Sequence, residues 1–129
     1  MIRLILTSLA LAMSILPSYG QDTLTTDRSG YTTGTVGNGV QNTYTDRYGN
    51  TQGWIGGKYT NTYSDGYGGS SGTIGNKRVN TYEDGYGRTT GTIGKDQVNI
   101  YTDPSGHTTG TIGRRRLNCY TAGRTTTCN

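Results

Sequence analysis

The chain has 129 residues, with 22 glycines, 11 tyrosines, one tryptophan, no phenylalanine and a formal net charge of +4. Beyond residue 20 it holds only eleven Leu, Ile or Val side chains, each worth about 1.5–3 kcal/mol when fully buried, which excludes an ordinary aliphatic core. Its low net charge and many Thr and Tyr residues, both strand formers, argue against simple disorder.

Residues 1–20 read as a secretory signal peptide. Arg3 supplies the charge, Leu4 to Leu16 the apolar run and Pro17-Ser18-Tyr19-Gly20 the cleavage region; the run is too short to cross a bilayer. No Cys follows the expected cleavage site, which speaks against a bacterial lipid anchor. The expected product is a single repeat domain over 21–129, secreted or held at the cell surface or in the periplasm.

That domain repeats every 19 residues. Tyr44, Tyr63, Tyr82, Tyr101 and Tyr120 mark the period, with Asp27, Asp46, Asp65, Asp84 and Asp103 in the same frame. Five copies span 25–43, 44–62, 63–81, 82–100 and 101–119, and a truncated hairpin follows at 120–129. Each copy alternates two Thr-rich runs with two turns, and no window shows a helical period. Asp103-Pro104-Ser105-Gly106 predicts a type I turn: Asp accepts backbone hydrogen bonds, Pro presets φ and Gly tolerates positive φ. The second turn, as in Gly75-Asn76-Lys77-Arg78, is looser and basic.

Cys119 and Cys128 predict a disulfide across the last hairpin, with Tyr120 facing Thr127 and Gly123-Arg124 at the tip. A loop of about ten residues closed this way is worth roughly 2.7 kcal/mol on the chain-entropy model, and an oxidised pair fits export. Carried back one repeat, the register sets Asp103 against Gly106, give or take a one-residue bulge. It places Tyr82, Asn80, Thr89, Gly91 and Ile93 on one face, the expected core. Val79, Thr81, Thr90 and Thr92 fall on the other, a threonine lawn carrying Val40, Val79, Val98 or Leu117, with Tyr59 in the second copy and Trp54 interrupting it. The resulting fold class is all-β: five β-hairpin repeats in an antiparallel meander of ten or eleven strands, with a β-solenoid as the alternative. Facing solenoid sheets lie about 10 Å apart, too far for the disulfide, which favours the meander. A membrane barrel is disfavoured, since its strands need about 9–11 residues and an apolar outer face.

No catalytic constellation is present, so no enzyme and no cofactor are expected. His107 reads as a solvated hairpin residue. One Asp per turn falls short of the six to eight oxygens calcium takes, so the aspartates read as turn caps and no metal site is expected. Lys58, Lys77, Arg78, Lys95, Arg114, Arg115 and Arg116 cluster at the second turns and form a candidate ligand edge for an acidic polysaccharide, a phosphate-bearing envelope surface or extracellular DNA; ordinary solubility is the competing explanation. Tyr48, Tyr67, Tyr86 and Trp54 are candidate exposed aromatics.

The segment Tyr101-Thr102-Asp103-Pro104-Ser105-Gly106-His107-Thr108-Thr109 resembles the YD repeats of Rhs-type secreted bacterial proteins, though the fixed Gly-Thr-Ile-Gly of this chain is not part of that pattern. Tyr82-Glu83-Asp84-Gly85-Tyr86-Gly87 is similar to MORN repeats, which implies hairpin meanders. The layout of leader, five repeats and recurrent Asn, Gly and aromatic positions resembles curli subunits, without their Ser, Gln and Asn motif. These likenesses imply a secreted β-repeat protein and carry over no site. The expectation is an exported, non-enzymatic structural or adhesive protein of the bacterial cell surface, able to self-associate through an unguarded strand at Leu24-Thr25-Thr26. The alternative is a soluble monomeric module for glycan or anionic polymer, with ice binding by the threonine lawn a lesser option.

Overall fold

The computed structural model describes residues 22–37 and 39–129; the expected leader over 1–20 lies outside them. Twelve strands follow in order: β1 (Asp22–Thr26), β2 (Tyr31–Val36), β3 (Gly39–Thr45), β4 (Thr51–Ile55), β5 (Lys58–Ser64), β6 (Gly69–Ile74), β7 (Lys77–Glu83), β8 (Arg88–Ile93), β9 (Asp96–Thr102), β10 (His107–Ile112), β11 (Arg115–Ala122) and β12 (Thr125–Cys128). Each pairs antiparallel with its sequence neighbours, and β1 pairs with β12, closing the meander into a barrel. The sequence predicts ten or eleven strands in one sheet, flat or curled with its tyrosines inward; the structure has twelve, closed with no free edge among the described residues and with those tyrosines outward.

Two kinds of turn drive the meander. At one end, Asp103 N donates to His107 O at 2.9 Å and closes a three-residue loop, Pro104-Ser105-Gly106, between β9 and β10, with Gly106 N donating to Asp103 O at 3.1 Å and Gly106 at φ 96°. This is the predicted type I turn, extended by a left-handed Gly that restores pairing. At the other end, two residues suffice: Ile74 faces Lys77 across Gly75-Asn76, and Gly75 takes φ 56° while no described non-Gly residue has positive φ. A first-position Gly of this kind fits the right-handed twist of the strands it joins.

The predicted disulfide forms between Cys119 and Cys128, which face each other on β11 and β12, with Tyr120 opposite Thr127. The register carried back from it is off by one. The cysteine hairpin has a two-residue tip, whereas the other hairpins at that end have three, so Thr81 faces Gly91 rather than Thr90. A one-residue slip reverses which side chains share a face. Val79, Thr81, Thr89, Gly91 and Ile93 therefore point inward, and Asn80, Tyr82, Thr90 and Thr92 point outward. The expected tyrosine core is thus on the outside, and the single threonine lawn does not form, because its residues divide between the two faces.

The interior is built in layers. Val36, Ile55, Ile74, Ile93 and Ile112 form an aliphatic belt near the two-residue turns, joined by Val79, Val98 and Leu117. In the first copies the Val79 position holds buried Gln41 and Thr60; Val40 and Tyr59, which the sequence reading placed there, face outward and are exposed. Toward the three-residue turns, hydroxyl pairs replace aliphatics: Thr26 with Thr32 at 2.7 Å, Thr45 with Thr51 at 2.8 Å, Thr102 with Thr108 at 2.9 Å and Thr121 with Thr126 at 2.8 Å, all buried. Satisfying each hydroxyl with another removes the penalty for burying it, so threonine methyls help fill a core that aliphatics alone could not. Mid-strand glycines let the sheet bend. A Cβ at Gly91, φ 140°, would lie 2.2 Å from Asn80 O, so only Gly tolerates that approach.

Candidate functional site

The three-residue turns hold one carboxylate each, and all are occupied. Asp84 Oδ1 accepts from Tyr86 N at 2.8 Å and Arg88 N at 3.0 Å; Asp27, Asp46, Asp65 and Asp103 each accept from the corresponding two amides. These are the turn caps read from the sequence. The hydrogen bonds favour the charged form: Asn50 and Tyr48 hold Asp46 below its ordinary pKa, Arg88 and Tyr86 do so for Asp84, and Ser105 and His107 for Asp103. His107 sits beside this turn, its ring 5.0 Å from that of Tyr120 and its Nδ1 3.9 Å from Asp103 Oδ2.

The basic residues gather at the opposite end of the barrel. Lys58, Lys77 and Arg115 open their strands and pair with the inward-facing Ile55, Ile74 and Ile112, so they rim the mouth above the aliphatic belt. The Lys58 stem lies over Gly75 and the Lys77 stem over Gly94, while Lys77 Nζ meets Asp96 Oδ2 at 3.5 Å. Arg78 and Arg116 face outward opposite Thr73 and Thr111, and Lys95 and Arg114 occupy turn tips. The seven cations thus share one end but point in three directions. Asp22 accompanies them, buried, its Oδ1 accepting from Gly37 N at 2.6 Å.

The outer wall is aromatic. Tyr44, Tyr63, Tyr82, Tyr101 and Tyr120 stand on alternate strands, each 39–53% exposed. With strands about 4.8 Å apart, they recur about every 9.6 Å around the barrel. Tyr48, Tyr67 and Tyr86 project from the turns beyond them and are more exposed still, as predicted; the Arg47 guanidinium lies over the Tyr48 ring. Nearer the basic end, Trp54 pairs across strands with Tyr59, ring centroids 5.4 Å apart.

The tyrosine belt was missed because the slipped register buried it. Asn80 shares the face of Tyr82, and Asn recurs at that position in every copy. Burying five carboxamides without partners costs more than exposing five phenols, and that signal identifies the face as a solvent face. No family model matches the chain, and no curated protein or solved structure is significantly similar to it.

Proposed function

We propose that this is an exported, non-enzymatic adhesive protein of the bacterial cell surface that holds polymeric partners by repetition. The observation that carries the reading is the belt of five tyrosines, placed identically on five strands and comparably exposed. Each is a weak amphipathic contact; several together raise the effective affinity. A closed barrel points successive tyrosines in different directions, so a flexible polysaccharide engages more of them than a flat rigid partner does. The disulfide is consistent with an oxidising, extracytoplasmic compartment, and export through the leader extends that to the cell surface. β1, with Leu24, is already paired to β12, so the N-terminal strand offers no open edge for self-assembly.

The test is co-sedimentation of oxidised protein with isolated cell envelopes and with insoluble polysaccharides. Tyr82→Ser alone should weaken retention slightly, and Tyr63→Ser/Tyr82→Ser/Tyr101→Ser should weaken it far more than threefold. Equal retention of the triple variant overturns the reading.

The cationic end favours a second reading, a monomeric module for an anionic polymer. There, Arg114→Glu/Arg116→Glu, at the two exposed members of the run, should abolish a salt-sensitive binding to an acidic polysaccharide while leaving thermal stability within about 0.5 kcal/mol, as for exposed substitutions generally. Binding indifferent to both salt and charge reversal counts against it.

A further inference from the structure

We infer that the outer face of β3, β4 and β5 is a binding site for an uncharged polysaccharide chain, centred on Trp54. This rests on the reading of the barrel as a surface-binding module and names where the specific contact lies. Three departures from the repeat meet on this face. Trp54 stands where the other copies have Thr35, Thr73, Thr92 and Thr111; Tyr59 stands where they have Arg78, Gln97 and Arg116; Val40 is the first copy's residue at that same position. A hairpin repeat needs none of the three for its fold, since Thr and Gln or Arg serve elsewhere in the barrel. Yet the three substitutions are neighbours: Trp54 is directly across from Tyr59 and diagonal to Val40, with exposures of 55%, 47% and 65%.

The surroundings select the ligand class. Outward positions on these strands carry Asn42, Gln52, Asn61, Tyr44 and Tyr63 and no ionisable acid or base other than phenols. By contrast, Arg78, Arg88 and Arg116 face outward on β7, β8 and β11. A charge-free face is complementary to an uncharged partner. Aromatic rings offer a flat apolar surface for the C–H face of a sugar, and carboxamides offer paired donors and acceptors for its hydroxyls. Asn61 sits between the two aromatic groups. Its Nδ2 donates to the Tyr63 hydroxyl at 3.0 Å, and its Oδ1 is covered and has no protein partner, an unsatisfied polar atom just beneath the face. Tyr44 lies across from Gln52, one alternation from Trp54, about 7 Å along the strands, so two ring platforms flank the amides along the barrel axis.

Trp54 is the chain's only tryptophan, so its emission reports this face alone. Titration with xylohexaose, cellohexaose and maltohexaose should give a saturable shift with at least one of them, and an acidic oligogalacturonide should give none. Calorimetry with the responding sugar should show affinity falling at least tenfold in Trp54→Thr and in Tyr59→Gln. Both variants install residues that the same barrel already uses at equivalent positions, so circular dichroism should be unchanged. The inference is overturned by an unmoved emission with all three uncharged sugars at millimolar concentration. Full affinity in Trp54→Thr overturns it too, as does a shift that follows protein concentration without sugar, which would mark a contact between copies. Envelope retention separates it from the wider reading. Retention lost in the triple Tyr→Ser variant but kept in Trp54→Thr sinks this site and leaves the belt; the reverse sinks the belt and leaves this site.

Discussion

The two halves of the barrel share one repeat and are filled differently. Across β1 to β5 the buried aliphatics are Leu24, Val36 and Ile55, and the inward column reads Asp22, Gln41, Thr60. Across β6 to β12 they are Ile74, Val79, Ile93, Val98, Ile100, Ile112 and Leu117, with the disulfide beside them, and the same column reads Val79, Val98, Leu117. Outside, both halves carry the recurring Tyr and Asn, but the first adds Val40, Trp54 and Tyr59 to its strands where the second adds Arg78, Arg88 and Arg116. The apolar half and its covalent staple hold the barrel closed. The polar half departs from the repeat both inside and outside.

The strongest test of this division is a large-to-small change in the apolar half. Leu117→Ala should cost about 2–5 kcal/mol, measured by urea denaturation, and native-state hydrogen exchange should find β9 to β11 protected longer than β3 to β5. Equal protection of the two halves would remove the distinction. Replacing Cys119 and Cys128 with Ser should cost roughly 2.7 kcal/mol on the chain-entropy model. The loss should appear first as faster exchange at the β12 and β1 seam.

A third change narrows the difference instead. Thr60 is fully buried and its hydroxyl has no hydrogen-bond partner, whereas Val79 and Val98 hold the same place in later copies. Thr60→Val should therefore stabilise the protein by about 1 kcal/mol, since a shape-matched apolar group removes an unpaired one. The smallest effect is common to both halves. Asp46, Asp84 and Asp103 are ionised more readily when folded, so the stability they confer is full above the ordinary carboxyl pKa of 3.8 and is lost as pH falls below it. Acid should loosen the turns of both halves together, and Asp46→Asn/Asp84→Asn/Asp103→Asn should flatten that limb of the pH profile.

Much of the fold was legible in the 19-residue period: the meander, the Asp-Pro-Ser-Gly turn and the Cys119–Cys128 pairing follow from local chemistry. Closure did not follow, because pairing of Thr25 with Thr125 depends on the summed curvature of all the strands rather than on any one segment. The faces failed for a smaller reason, a single residue missing from the last turn. That residue moved five tyrosines from the wall's exterior to its expected core, and with them went the outer surface on which both proposals rest. The basic cluster was legible as one end of the barrel because its residues lie in or next to the two-residue turns, and a register slip leaves them at that end.

The seam between β1 and β12 also sets an order of events in folding. Every other pairing joins strands adjacent in the chain, while this one joins residues 100 positions apart, with the Thr25 and Thr125 hydroxyls 3.2 Å from each other. The local hairpins can form as each is synthesised, at little loop-closure cost. The first strand must wait for the last, so a nascent chain spends its whole emergence as an open sheet with two sticky margins. Until residue 128 arrives, nothing in the barrel itself keeps those two margins from other strands.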